Sequence, residues 1–87
     1  MYYVYVLKSV TYNRLYIGSS ENPERRLQEH NAGKTQSTEP FVPYVLIYCE
    51  QYLNKRDALR RERQIKDSGK MRKELKEGTY VAPSSIG

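Results

Sequence analysis

Apolar and polar residues alternate, cluster and break along this chain in a way that divides it into elements. Tyr2 to Lys8 (YYVYVLK) reads as a strand in which Tyr3, Tyr5 and Leu7 share one face and Tyr2, Val4 and Val6 the other. Both faces carry bulk, which predicts a central strand. Ser9 to Asn13 is polar enough for a hairpin loop, making Leu15–Gly18 the antiparallel partner, with Tyr16 and Gly18 on one face opposite Leu15 and Ile17. A helix starts near Pro23. Asn22 is suited to cap it, Pro23 to open it, Glu24 to complement its dipole and Gly33, just past Ala32, to end it. Gly33 to Pro43 is a loop. Tyr44 to Glu50 (YVLIYCE) is a third strand whose nearly unbroken apolar run predicts cover on both faces, with Cys49 an inert packed thiol.

Asn54 is placed to cap a second helix from about Lys55 to Ser68, with Asp57 in its first turn and Gly69 as its stop. At about 100° per residue, Ile65, Ala58, Glu62, Lys66 and Leu59 fall across one face, so Glu62 lies within the apolar stripe. A carboxylate facing a core costs free energy unless it is paired or holds a metal. Two readings follow: an ion pair with Arg26 or Lys66, or a metal ligand. Lys70 to Lys76 reads as a short charged third helix. Residues 1–77 form one domain, and 78–87, with little to bury, read as a flexible tail. The fold class expected is α+β, a three-stranded antiparallel sheet flanked by helices.

Composition narrows the function. Fifteen basic against ten acidic residues give a net charge of +5 and a pI near 9.4, which favours an anionic partner. One cysteine excludes an internal disulfide framework and fits a reducing compartment. No apolar run approaches the length of a membrane span, and MYYVYVLKS lacks the basic leader of a signal peptide, so a cytoplasmic location is expected. A single Cys and a single His exclude a structural zinc site, and no glycine-rich phosphate loop or GxSxG is present. A Cys49–His30 nucleophile pair is disfavoured by the apolar strand around Cys49. Nine tyrosines mostly suit half-buried strand positions, but some hydroxyls can carry chemistry or rings stack on bases.

The remaining chemistry concentrates between Leu15 and His30, LYIGSSENPERRLQEH. Arg26 and His30 are four apart and project from one helix face, near the strand that carries Tyr16. A phenol, a fixed cation and a titratable ring gathered within sixteen residues suggest a phosphate site. Taken singly, each has a plainer reading: Tyr5 as a core ring, Arg26 as a solvated helix residue, His30 as a dipole partner at a helix end.

Taken together, Tyr3-Val4-Tyr5, Tyr16-Ile17-Gly18, the run YIGSS…ERRL.EHN.G and the A..RE.QIK helix (Ala58, Arg61, Glu62, Gln64, Ile65, Lys66) resemble the GIY-YIG nuclease superfamily, in particular its small stand-alone bacterial members. The resemblance spans residues 2 to 69. It implies a metal-dependent endonuclease acting on DNA phosphodiesters. Tyr5 and Tyr16 match the tyrosines of the two motifs, Arg26 the essential arginine, His30 the histidine one turn further on, and Glu62 the metal-binding carboxylate. The implied cofactor is Mg²⁺ or Mn²⁺, held by Glu62 and water. Tyr16 is then the candidate general base, with Tyr5 hydrogen-bonded near it, and Arg26 supplies donors to the phosphate. An ordinary tyrosine has a pKa of ~10, so the mechanism needs positive charge nearby to favour the phenolate.

This sequence departs from the pattern at three places. Tyr3 stands where the first motif begins with Gly, Ser19 stands where some members carry Lys, and residues 72–77 lack an Asn found in many larger members. Without an attached DNA-binding domain, grip falls to the basic surface: Lys8, Arg14, Arg25, Lys34, Lys55, Arg56, Arg60, Arg63 and Lys66, with Ser19 facing phosphate. Single-stranded or structured DNA suits such a surface better than a sequence-read duplex, and a monomer or weak homodimer is expected, with no membrane partner. The alternative is a non-catalytic nucleic-acid-binding module that keeps the fold. A protein-interaction domain would need an apolar patch larger than Phe41 and Val42 offer.

Overall fold

A computed structural model describes residues 1–34 and 39–81. Strands β1 (Tyr2–Ser9) and β2 (Leu15–Ser20) are followed by helix α1 (Pro23–Asn31), a 3₁₀ turn at Glu39–Phe41, strand β3 (Tyr44–Tyr52) and helices α2 (Lys55–Asp67) and α3 (Gly69–Glu77). The sheet is antiparallel throughout, in the order β2-β1-β3, so the strand with bulk on both faces is central, as its pattern predicts. The architecture is the expected α+β one.

Alternation along β1 divides the core. Val4 and Val6 pack with Ile17, Ala58, Ile65, Met71 and Leu75 under α2 and α3. Tyr5 and Leu7 pack on the opposite face with Tyr44, and with Tyr16, Leu27, Phe41, Val42 and Leu46 beside them. Phe41 and Val42 therefore serve the core and offer no docking patch.

The helix ends follow their capping chemistry. The Asn22 side chain accepts from the Arg25 amide at 3.1 Å, and that of Asn54 from the Asp57 amide at 2.9 Å. Gly33, at φ +77°, takes the left-handed turn that closes α1. The stop of α2 is Ser68, not Gly69. Ser68 ends α2 and its hydroxyl accepts from the Met71 amide at 3.1 Å, so the same residue caps α3, which begins at Gly69.

Strand β3 differs from expectation. It is an edge strand, and Val45, Ile47 and Cys49 are exposed, because the short α1 and the two other helices leave alternate positions uncovered. Cys49 is thus a surface thiol, with a pKa raised by partial burial and the nearby Glu50. Across from β1 the register skips one residue: Val6 pairs with Tyr48 but Leu7 with Leu46, leaving Ile47 as a bulge. Tyr44 and Leu46 consequently face the α1 side, while Tyr48 and Tyr52 face α2 and α3.

On that second side Glu50 accepts from the hydroxyls of Tyr48 and Tyr52 and from Arg61 Nε and Nη2 at 2.9 and 3.1 Å, tying α2 to β3. Of the expected tail, residues 82–87 lie outside the described residues. Within 78–81, the Thr79 and Tyr80 amides donate to the Glu74 carbonyl, and the Tyr80 ring packs edge-on against Tyr48 at 5.4 Å.

Candidate active site

Residue 18 organises the site. Gly18 pairs with Tyr5 across the hairpin, and a Cβ there would sit 2.7 Å from Tyr5 Oη and 3.0 Å from Tyr16 Cε1. Only a hydrogen lets both phenol rings close over the strand. The rings lie 6.2 Å apart, centroid to centroid, at 29°. Tyr5 is 1% exposed and Tyr16 is half-buried, so Tyr16 is the phenol with access to solvent.

Helix α1 brings the cation. Its Asn31 side chain holds the backbone of Tyr44, accepting from the amide at 2.6 Å and donating to the carbonyl at 3.0 Å, which fixes the helix to the sheet. Arg26 then interacts with the Tyr5 hydroxyl and pairs with Glu29 at 2.6 Å. The hydrogen bond to Tyr5, and beyond it that to Glu29, holds the guanidinium firmly protonated despite its partial burial. Burial raises the Tyr5 pKa, and the opposing pull of Arg26 does not reverse it, so this phenol stays neutral.

His30 is wholly buried, its ring 4.4 Å from that of Tyr16 and 6.4 Å from that of Tyr44. Burial, reinforced by Arg26, lowers its pKa, keeping the imidazole neutral at pH 7. In this position it backs the Tyr16 ring and exposes no surface of its own.

Glu62 comes from the other layer. From α2 its Oε1 accepts from Ser19 Oγ at 2.8 Å, and its Oε2 pairs with Lys66 at 2.7 Å. Its side chain is 17% exposed and that of Lys66 52%. Ser19 adjoins Gly18, and the Glu62 charge is felt at Tyr5, adding to the rise in that pKa. Of the two readings open for Glu62, the ion pair with Lys66 is present. Among the described residues, no three His, Cys, Asp or Glu side chains converge on a common metal position. The donor set, one carboxylate and a neighbouring hydroxyl, is all oxygen, which suits a hard divalent cation that keeps most of its water. Because Lys66 is half-exposed, its pair with Glu62 is worth only about 0.3–0.5 kcal/mol.

The structure thus brings Tyr5, Tyr16, Arg26 and His30 together on the α1 side and sets Glu62 at their margin. Several of the basic residues expected to grip DNA have partners within the chain. Arg25 pairs with Glu29, Arg63 with Asp67, and Lys55 lies over the Tyr2 ring at 6.0 Å. Lys34 sits in the field of Glu29, and Lys8 lines a groove with Glu74 and Glu77. The Ser19 hydroxyl donates to Glu62. Sequence reasoning missed Glu29 as the partner of Arg26, although the three-residue spacing signals it. It also missed Asn31 as the anchor of α1.

Fold and cluster define a class: an α+β domain in which a hairpin presents two tyrosines to an arginine from one helix and a carboxylate from another. The chain belongs to the GIY-YIG family, a family of nuclease-type enzymes that generally use divalent metals; the model of the GIY-YIG catalytic domain matches residues 1–75. It is similar to a UPF0213 protein of Staphylococcus haemolyticus, 41% identical over 73 residues that cover 83% of this chain and 88% of the relative. A UPF0213 protein of Natronomonas pharaonis is 39% identical over 84% of this chain and 86% of its own length. One of Halobacterium salinarum is 35% identical over 85% and 96%. No solved structure matches the chain. Among the described residues, no helix is long and apolar enough to cross a membrane.

Proposed function

We propose that this chain hydrolyses phosphodiester bonds in nucleic acid, DNA foremost, with Tyr16 as general base, Arg26 on the phosphate and Glu62 as the ligand of Mg²⁺ or Mn²⁺. The observation that carries the reading is the packing at Gly18: two phenols close over the glycine, the Arg26 guanidinium reaches one of them, and the Glu62 carboxylate holds the adjoining Ser19. A metal held by Glu62 would neutralise charge on the phosphoryl oxygens and the departing alkoxide.

The chain's own groups divide the remaining work. Arg26, permanently charged, turns its donors from Glu29 to a non-bridging phosphate oxygen. Tyr16, facing solvent, acts as a phenolate: it takes the proton of the attacking water as the new P–O bond forms, and the bond to the leaving oxygen breaks with solvent water protonating the alkoxide. Tyr5, held neutral by burial, is a donor and not a base. His30 holds the Tyr16 ring from behind.

The test is cleavage of single-stranded, duplex and branched DNA with Mg²⁺, Mn²⁺ or EDTA. Tyr16→Phe and Glu62→Ala should abolish cutting, and Arg26→Ala should lower it about 10²–10³-fold, the scale set by losing one transition-state donor. Retained cleavage in both Tyr16→Phe and Glu62→Ala would overturn the reading.

The occupation of both Glu62 oxygens by Ser19 and Lys66 favours a second reading, a non-catalytic nucleic-acid-binding module. It predicts salt-sensitive binding that Mg²⁺ does not alter, and no product after long incubation.

A further inference from the structure

We infer that single-stranded nucleic acid enters along a groove at the β2 edge of the sheet, its phosphodiester backbone held by Arg72 and Lys76 of α3 together with Arg14 and Lys66. The groove, about 430 Å³, is lined by these four cations and by Leu15, Tyr16 and Ile17. Among the described residues that line it, none is a carboxylate. On the far side of α3 the charge is mixed: Glu74 and Glu77 line a separate groove of about 370 Å³ with Lys8, and Lys76 borders both. Helix α3 thus turns its acids toward β3 and leaves the β2 side basic.

The spacing supports one track. Arg72 and Lys76 are four residues apart, so they stand one above the other on α3, and among the described residues neither forms an ion pair. Arg14 borders the groove at the start of β2, its guanidinium lying over the Phe41 ring at 4.2 Å. Lys66 joins the groove to the candidate site, because its ammonium already touches Glu62. A phosphate arriving there would draw Lys66 off the carboxylate. Tyr16 lines the same groove, an aromatic residue beside the cations that hold the backbone, the pairing that single strands use.

The inference rests on the proposed reaction only in taking Tyr16 as the point the backbone must reach. Its test needs no cleavage. Binding of fluorescein-labelled dT12 and rU12 is followed by anisotropy in EDTA, from about 50 to about 200 mM salt, for the wild type, Arg72→Gln/Lys76→Gln and the matched control Lys70→Gln/Lys73→Gln. The control removes the same charge from the same helix outside the groove.

Each phosphate contact on a single strand contributes about 0.7 to the salt slope, so losing two should flatten it by about 1.4 and shrink the wild-type advantage roughly sevenfold across that range. The control should keep the wild-type slope. Equal weakening by the two variants would overturn the groove, as would an absence of binding by the wild type to both strands. A dT12·dA12 duplex bound as tightly with the same dependence would overturn the single-strand assignment. Thermal unfolding checks that the variants fold, with surface changes expected to stay within about 0.5 kcal/mol. Failure here leaves the cleavage assays as they stand, and loss of cleavage leaves this binding pattern in place.

Discussion

Replacing Gly18 by alanine is the most direct probe of how the hairpin builds the site. The added methyl would fall 2.7 Å from Tyr5 Oη, 2.9 Å from Tyr5 Cζ and 3.0 Å from Tyr16 Cε1. Carbon atoms in contact prefer about 3.5–4.0 Å, so something must move by roughly 0.5–1 Å. Tyr5 is 1% exposed and cannot swing into solvent, which leaves the backbone of β2 or the Tyr16 ring to yield. Overpacking of this kind costs about 1–3 kcal/mol. For a domain of this size that is a fall of roughly 5–20 °C in Tm. Cleavage should fall further, by about 10²-fold, since a misplacement of 1 Å at a reacting group carries that penalty. Deleting the hydroxyl removes the shortest contact, so Gly18→Ala should cost about 1 kcal/mol less in the Tyr5→Phe background than alone. Thermal and urea unfolding of the four proteins, followed by circular dichroism, give the cycle. A Tm unchanged in Gly18→Ala, or strict additivity in the double variant, would refute the argument that the two rings need this glycine.

Three other outcomes follow from the same structure. Lys66→Gln should tighten Mn²⁺ binding about twofold, the equivalent of a pair worth about 0.3–0.5 kcal/mol, in a calorimetric titration, and an unchanged affinity would separate Glu62 from the metal. His30 has its pKa lowered by burial, so the unfolded chain binds the proton first and stability falls as pH drops below the unfolded value of about 6.5, until the folded value is passed. The loss in urea midpoint between pH 7 and pH 5 should therefore be smaller in a folded His30→Phe protein than in the wild type. Arg61→Met strands the Glu50 carboxylate, whose side chain is 16% exposed, and should cost about 1–3 kcal/mol in urea unfolding.

Much of this was legible where one local rule decided the outcome. Alternation along Tyr2–Lys8 marks the central strand because each face meets a different core, and Asn22, Pro23 and Asn54 mark the helix starts because their side chains or rings act within one turn. The candidate site was legible through the order of Tyr5, Tyr16, Arg26, His30 and Glu62. What the chain does not display in one dimension is which neighbours the fold supplies. The partners of Glu62 are Lys66, one turn away, and Ser19, which no periodicity connects to it. The exposure of Cys49 depends on β3 lying at an edge, and an apolar run reads alike at an edge or a centre. The basic groove is not legible because Arg72 and Lys76 belong to a helix that reads as merely charged, and only its docking beside β2 sets Arg72 apart from Glu74 and Glu77, with Lys76 on the border.

The skipped residue in β3 has a consequence for how this strand tolerates change in length. Leu46 and Tyr48 already stand opposite consecutive residues of β1, Leu7 and Val6, with Ile47 looped out between them. Excising Ile47 would bring them into ordinary succession, each still pointing into the side it now occupies. An excision at Tyr48 or Cys49 would instead turn Glu50 and Tyr52 outward and take Glu50 away from Arg61. Position 47 is the slack link of the strand, where the chain can be shortened by one without exchanging the two interiors.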